Sequence, residues 1–315
     1  MEKLDHIAHG ESTAPARLPP PLVDAGIPPA FADDHHDDLH PSPVSAMMPI
    51  VFTHRPVRPR PPKIVAPLRV AGRIVQSLDL ARDIVEVTIA PDAPIDISPG
   101  QHCRFSFSGL PFRQFSPTAP LGSLRDDGYL RLHIKRVRGG LVTPHVGRTI
   151  KAGHSVEIAG PYGRAFSCPA SAGRLVLIGG GTGFAPIWAI AAAELRRAPA
   201  RSVLIAGAAP TLDTFYMAPA LELVRRYTNV SILASVDEIG APWHGFVPGP
   251  LSNSSNLPKF SGGDIVYAAG GHALVGAVGK AAALAGASFY ADPLEPAPQT
   301  QESWIESARR WLSVG

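Results

Sequence analysis

Cysteine is nearly absent from this chain. Only Cys103 and Cys168 occur among its 315 residues, so neither a disulfide scaffold nor an all-cysteine iron-sulfur or zinc site can be built from it. The two could pair with each other, although isolated cysteines are more often buried as small apolar side chains. Long apolar runs are missing as well. No segment supplies about 20 consecutive apolar residues, and glycines interrupt the stretch from Leu175 to Ala193, so no stable membrane insertion is expected. The opening run MEKLDHIAHGESTAP mixes acids with bases and has no apolar core before a cleavage site, which points to a cytoplasmic protein without a secretory leader. Charge of one sign is also lacking: 29 basic and 26 acidic side chains leave a net +3, too modest and dispersed for a nucleic-acid partner. What the chain does have is 45% hydrophobic residues, enough for sizeable cores in a length of about two domains.

The composition changes along the chain. Residues 1–62 hold 13 of the 34 prolines and the run FADDHHDDLHPSP without apolar periodicity, and they read as a disordered Pro/His/Asp-rich extension. His35, His36 and His40 lie among acids there, but a mobile segment supplies metal ligands without holding their geometry. From Lys63 onward short alternating or β-branched runs appear: LRVAGRIVQSLDL, IVEVTIA, HCRFSF, YLRLHIKRV and SVEIAG. Separated by turn signals rather than long helices, they predict a small antiparallel β-barrel over 63–170 that ends near Ser167. The rhythm then becomes β/α. Strands are predicted at Leu175–Ile178, Ser202–Ala206, Val230–Ala234 and Asp264–Ala268, with helices at Ile187–Arg197, Met217–Arg226 and His272–Ala285. This order predicts an open, mostly parallel α/β domain over 171–295. The final stretch, 296–315, contains WIESARRWLSV, whose apolar residues recur at helical spacing, as in an amphipathic extension.

Two loop groups carry chemistry. Gly179, Gly180, Gly181, Thr182 and Gly183 lie between a predicted strand and helix, where missing β-carbons let backbone donors approach an anion such as a dinucleotide pyrophosphate. The spacing through Gly181, Gly183 and Pro186 is GxGxxP rather than GxGxxG, and a purely structural turn is the competing reading. A GxxxxGK[ST] arrangement is absent, which disfavours a nucleoside triphosphatase. In the barrel, RQFSP contains Arg113, Phe115 and Ser116, and RGGLVTP contains Gly139, Gly140 and Thr143. Arg113 can hold a phosphate, Ser116 and backbone groups can bond a polar cofactor, and Phe115 can shield an aromatic ring. A surface ion pair, a core aromatic and ordinary turns are the alternatives. No nucleophile elbow accompanies the scattered histidines, and no acid pair has a spacing that marks it as catalytic.

Together these segments resemble the ferredoxin-NADP reductase superfamily, especially the reductase components of multicomponent oxygenases and related flavin reductases, over residues 64–295. The resemblance implies an FAD-binding antiparallel barrel followed by an NAD(P)-binding α/β domain. RQFS is similar to the family's arginine-x-aromatic-serine flavin motif, with Phe115 where tyrosine is common. Gly139, Gly140 and Thr143 then fall near the flavin diphosphate. LVLIGGGTGFAPI assigns Gly180, Gly181, Thr182, Gly183 and Pro186 to the nicotinamide dinucleotide, and IVYAAGG adds Gly270. Phe115, Ser116 and Ala269 become the positions facing flavin or nicotinamide. Ala269-Gly270-Gly271 departs from the family's cysteine-glycine-proline, which removes a thiol and a fixed φ beside the nicotinamide. An arginine is missing near Ala209, which favours NADH over NADPH, whereas Arg225 and Arg226 leave another route to a phosphate. The expected activity is electron transfer from NADH through FAD to a separate ferredoxin or oxygenase component, because this chain lacks the four cysteines of the family's fused iron-sulfur domain. Alternatives are a free-flavin or small-oxidant reductase and a non-catalytic flavin-binding regulatory protein. His145 and His272 lie near the motifs without needing an acid-base role.

Overall fold

In a computed structural model, residues 68–125, 127–163, 166, 173–238 and 246–293 are described. The expected extension over 1–62, the barrel's end near Ser167, Cys168 and the amphipathic run over 296–315 lie outside them. Both sheets belong to one compact unit spanning 63–315.

The first sheet is antiparallel and has six strands: β1 Leu68–Ala81, β2 Ile84–Pro91, β3 His102–Phe107, β4 Arg113–Phe115, β5 Leu130–Lys135 and β6 Ser155–Tyr162. Their order is β4-β3-β6-β1-β2-β5. Two register shifts in β1, at Ile74/Gln76 and Asp79/Ala81, let that long strand bend. An antiparallel bridge between Thr118 and Arg131 then brings the two ends of the sheet together, leaving it nearly a barrel. Alternation sends Ile74, Val87, Phe105, Leu132, Ile134 and Ile158 inward as one core. Full burial of each contributes about 1.5–3 kcal/mol relative to exposure. The predicted strands all form; β4 does not announce itself in sequence, because RQF is only three residues long.

The second sheet is parallel throughout: β7 Leu175–Gly180, β8 Val203–Ala209, β9 Val230–Val236, β10 Phe246–Pro248, β11 Ile265–Gly270 and β12 Ser288–Pro293, in the order β10-β9-β8-β7-β11-β12. Helices α1 Phe184–Arg197, α2 Ala218–Val224 and α3 His272–Leu284 connect it. Strands covered on both faces read as continuous apolar runs, and VLIAGAA of β8 is buried at every position. Leu175, Leu177 and Ile205 pack on the α1 side, and Val176, Ile178 and Ala206 on the α3 side. Helix α1 begins three residues before the predicted Ile187, because Pro186 sits in its first turn, where no intrahelical N–H is needed. Helix α2 is shorter than predicted, and β10 and β12 are additional.

The two halves share a core. Ile84 and Leu121 of the first sheet's half pack with Leu177, Phe184 and Trp188, and the Trp188 indole N–H donates to the Pro120 carbonyl at 2.9 Å. This buried contact fixes the strand-to-helix turn after β7 against the antiparallel sheet.

Candidate functional site

The turn after β7 lies where the strand order reverses. β8 and β9 extend to one side of β7, β11 and β12 to the other, so the carboxyl ends of β7 and β11 open the crevice in which α/β sheets bind ligands. Gly181, Thr182 and Gly183 form a single 3-10 turn that leads directly into α1. Gly181 has φ of 54°, a conformation that glycine adopts without a side-chain penalty, and a β-carbon there would meet nothing within 4 Å. Gly270, with φ of 140°, stands with its α-carbon against Gly180: a β-carbon would lie 3.1 Å from the Gly180 nitrogen and oxygen. The turn and the end of β11 thus come together. Pro186 is buried in the first turn of α1. Ala269 is wholly buried, its methyl in the core on the α1 side.

In the first sheet, Arg113 and Phe115 belong to β4 and pair with Phe105 and Cys103 of β3. The half-buried Arg113 guanidinium donates to the Phe112 carbonyl at 2.9 Å, and burial lowers its pKa. Phe115 packs against Phe105 and Phe107, with ring centroids 6.1 and 6.3 Å away. Gly139 and Gly140 turn the chain after β5, and the Thr143 hydroxyl accepts from the Val137 N–H at 3.1 Å, bracing that turn. A β-carbon on Gly139 would meet nothing within 4 Å. Because the Thr118–Arg131 bridge is antiparallel, the start of β4 and the chain leaving β5 lie toward the same edge.

The sequence reading missed Asp292. It sits on β12 directly beside Ala269 of β11 in register, with its carboxylate near the Ser116 side chain and His102. Burial raises the pKa of Asp292, while nearby His102 and Ser116 pull it down. Burial lowers that of His102, with Asp292 opposing. His102 stacks on Tyr162 at 5.8 Å. One carboxylate therefore lies near the serine of RQFS and neighbours the first residue of the AGG segment. The aromatic pair Phe289-Tyr290, soon after the helix-ending Gly286, was the available signal for the strand that carries it.

Other sequence candidates fall away from this cluster. Cys103 is buried, its thiol pushed up to about 11, which makes it a packing residue rather than a nucleophile. His145 lies in the 3-10 turn after β5, and His272 is the exposed first residue of α3. Among the described residues no group of three or more His, Cys, Asp or Glu could hold a metal, and no helix is long and apolar enough to cross a membrane.

The residues present fit a flavin dinucleotide on one side and a nicotinamide dinucleotide on the other. Arg113 spends one N–H on a neighbouring carbonyl, the Gly139 and Gly181 turns face open space, and the donors of Gly181 to Gly183 head a helix whose positive end favours phosphate.

Residues 71–166 match the oxidoreductase FAD-binding domain family and residues 177–280 the oxidoreductase NAD-binding domain family. The ferredoxin–NAD(P)(+) reductase component of the Pseudomonas putida naphthalene 1,2-dioxygenase system is 30% identical over 136 residues, 43% of this chain and 40% of that protein. The reductase subunit of an Amycolatopsis aromatic O-demethylase is 32% identical over 195 residues, 59% of this chain and 57% of that protein. The crystal structure of an Amycolatopsis cytochrome P450 reductase superposes with a TM-score of 0.64 at 27% identity, covering 74% of this chain and 71% of that one. The chain spans about half the length of the curated relatives it matches. With an FAD-binding half preceding an NAD-binding half, in sequence and in fold, the chain belongs to the ferredoxin/flavin reductase superfamily and resembles the reductase components of oxygenase systems.

Proposed function

We propose that this protein takes electrons from NADH onto FAD and passes them to a separate ferredoxin or oxygenase component. The observation that carries this reading is Asp292, which lies near Ser116 of the flavin motif and beside Ala269 of the nicotinamide segment. FAD, when bound, would supply the chemistry that accepts one hydride, an electron pair with its proton, and releases the two electrons one at a time. The chain's own work is positioning. On this reading residues 63–170 form the flavin half and 171–295 the nucleotide half. Arg113, Gly139, Gly140 and Thr143 hold the flavin diphosphate, and Phe115 and Ser116 orient the flavin ring. Gly180 to Gly183, Pro186 and Gly270 cradle the nicotinamide dinucleotide, and Ala269 stands at the edge where the two rings meet. A thiol is not required at position 269, because stacking two rings at reactive distance supplies most of the advantage. The acceptor is supported by relatives named as reductase components of naphthalene 1,2-dioxygenase, phenol 2-monooxygenase and propane 2-monooxygenase. A four-cysteine cluster exceeds the two cysteines of these 315 residues, so the one-electron centre belongs elsewhere. A cytoplasmic setting goes with this reading, since NADH is the electron source.

Anaerobic stopped-flow absorption on FAD-loaded protein tests it. NADH should bleach the flavin band, and a one-electron acceptor should then restore it. Bleaching by dithionite alone would instead favour the non-catalytic alternative, and bleaching accompanied by flavin release would favour the free-flavin reductase.

The preference for NADH is supported by the edge beyond β8. Ala209 ends that strand with its carbonyl accepting from the Asp237 N–H at 3.1 Å, and Glu238 accepts from the Leu212 N–H at 3.4 Å. Acids here suit a ribose hydroxyl and repel a phosphate. Arg225 is paired with Glu222 at 3.2 Å and Arg226 lies over the Tyr227 ring, so both have partners of their own. Asp237→Arg, at an exposed position, should shift the NADPH/NADH ratio of kcat/KM toward NADPH by about tenfold or more, the worth of one charge-assisted hydrogen bond. An unchanged ratio in steady-state assays would place the adenosine ribose elsewhere.

A further inference from the structure

A polar chain joins the two halves at a place separate from Ser116 and Asp292. His133 of β5 has a side chain with 0% exposure. Its Nε2 lies 3.3 Å from a carboxylate oxygen of Glu86 on β2, and its Nδ1 lies 3.2 Å from the hydroxyl of Tyr216, just before α2. The Tyr216 hydroxyl is in turn 3.2 Å from the carbonyl oxygen of Gly181, in the glycine turn. Burial, reinforced by the Glu86 charge, pushes the phenol pKa well above its ordinary value, so Tyr216 stays protonated.

The protons in this chain can be counted. Three links connect Glu86, His133, Tyr216 and Gly181, and each needs one hydrogen. A carboxylate and a carbonyl only accept, the phenol has one hydrogen to donate, and a neutral imidazole has one. Those two satisfy two links. If Tyr216 donates to Gly181 and His133 donates to Tyr216, the bare Nε2 lone pair faces the carboxylate. If His133 donates to Glu86, Tyr216 must donate to His133, and the Gly181 carbonyl keeps only the Phe184 N–H of its own turn. All three links form together only with one more proton, on His133 or on Glu86.

We propose that His133 and Tyr216 are positioning residues for the dinucleotide-binding turn, and that one proton shared by His133 and Glu86 completes their hold on Gly181. The proposal rests on the reading of that turn as the nicotinamide dinucleotide site. As pH rises and the proton leaves, a link is lost, the turn is less firmly held, and dinucleotide binding weakens. The charged groups around His133 pull in opposite directions. Glu86 favours the proton from β2, whereas Arg131, paired with Asp127, and the exposed Lys135 flank His133 on the same side of β5. The Arg82–Asp213 pair bridges the same two halves at 2.8 Å.

The test is equilibrium titration of FAD-loaded protein with NAD+ from about pH 6 to pH 9, together with amide hydrogen exchange at Gly180 to Gly183. In the wild type, NAD+ affinity should fall about fivefold as pH rises, the typical worth of one hydrogen bond. Tyr216→Phe keeps the ring in its core and removes the donor. It should bind about fivefold more weakly at low pH and lose the pH dependence. Glu86→Gln brings an NH2 that donates to Nε2 and thereby supplies the missing hydrogen. It should bind tightly at every pH, again without the slope. Exchange at the turn should follow the same order. Wild-type affinity and slope in Y216F, or a wild-type slope in E86Q, would overturn the proposal. Should the wild type bind no NAD+, the proposed function fails and exchange alone decides the positioning. Protection lost in Y216F and retained at high pH in E86Q supports it; equal protection in all three proteins overturns it.

Discussion

Gly183→Ala is expected to slow flavin reduction by NADH by about a hundredfold, the penalty of misplacing reacting groups by roughly 1 Å. The backbone at Gly183 has φ of −63° and ψ of −13°, ordinary for alanine, so conformational strain contributes nothing. Contact decides the outcome. A β-carbon would lie 2.5 Å from the Ala269 carbonyl oxygen and 2.6 Å from the Gly270 nitrogen, whereas ordinary contact begins at 3.4 Å. Those atoms are backbone of β11, held in parallel register by β7 on one side and β12 on the other. Relief therefore requires the glycine turn and β11 to separate, which moves the dinucleotide cradle away from Ala269. Overpacking of this kind also costs about 1–3 kcal/mol of stability, visible as a lower Tm. Gly181→Ala is the matching control: its β-carbon meets nothing, and only the left-handed φ of 54° opposes it, at about 1–2 kcal/mol. Stopped-flow bleaching of G183A at the wild-type rate would sink the assignment of this seam to the nicotinamide site.

Arg113→Ala should weaken FAD binding by about a hundredfold, because a bond from a guanidinium to phosphate lies at the strong end of the 1.5–3 kcal/mol range for charged partners. The fold should tolerate the change. Arg113 donates to the Phe112 carbonyl, while β4 is held by backbone pairing with β3, so the flavin-free protein should melt within about 1 kcal/mol of wild type. Arg113→Lys keeps the charge and loses the planar fork, which places it between the two. Flavin fluorescence titration reads all three proteins, and unchanged affinity in R113A would move the diphosphate contact to another residue.

Several elements were legible from local pattern alone. Alternating runs such as HCRFSF and LRLHIK send their apolar residues to one face and so announce an antiparallel sheet, whereas LVLI and VLIAGAA, apolar at every position, can only be covered on both faces. The glycine run after β7 announced a tight turn at a helix start. β4 and β12 were not legible: RQF is too short for a period, and SFYADP interrupts its aromatics with serine, alanine and aspartate. Residues missing from the sequence reading share a trait. Asp292 acquires its meaning from Ser116, which lies far before it in the chain, and Tyr216 from His133 and Gly181.

The order and kind of the two sheets, the glycine turn and the arginine-aromatic-serine segment were determined by the sequence itself, because periodicity, β-branching and the absence of β-carbons act over a few residues. The tertiary structure alone decided that one carboxylate lies near both Ser116 and the end of β11, that a buried histidine and tyrosine reach the Gly181 carbonyl, and that Gly183 abuts the backbone of Ala269. Each of these depends on the register of strands distant in sequence and on which faces the shared core brings together, and no local propensity encodes either.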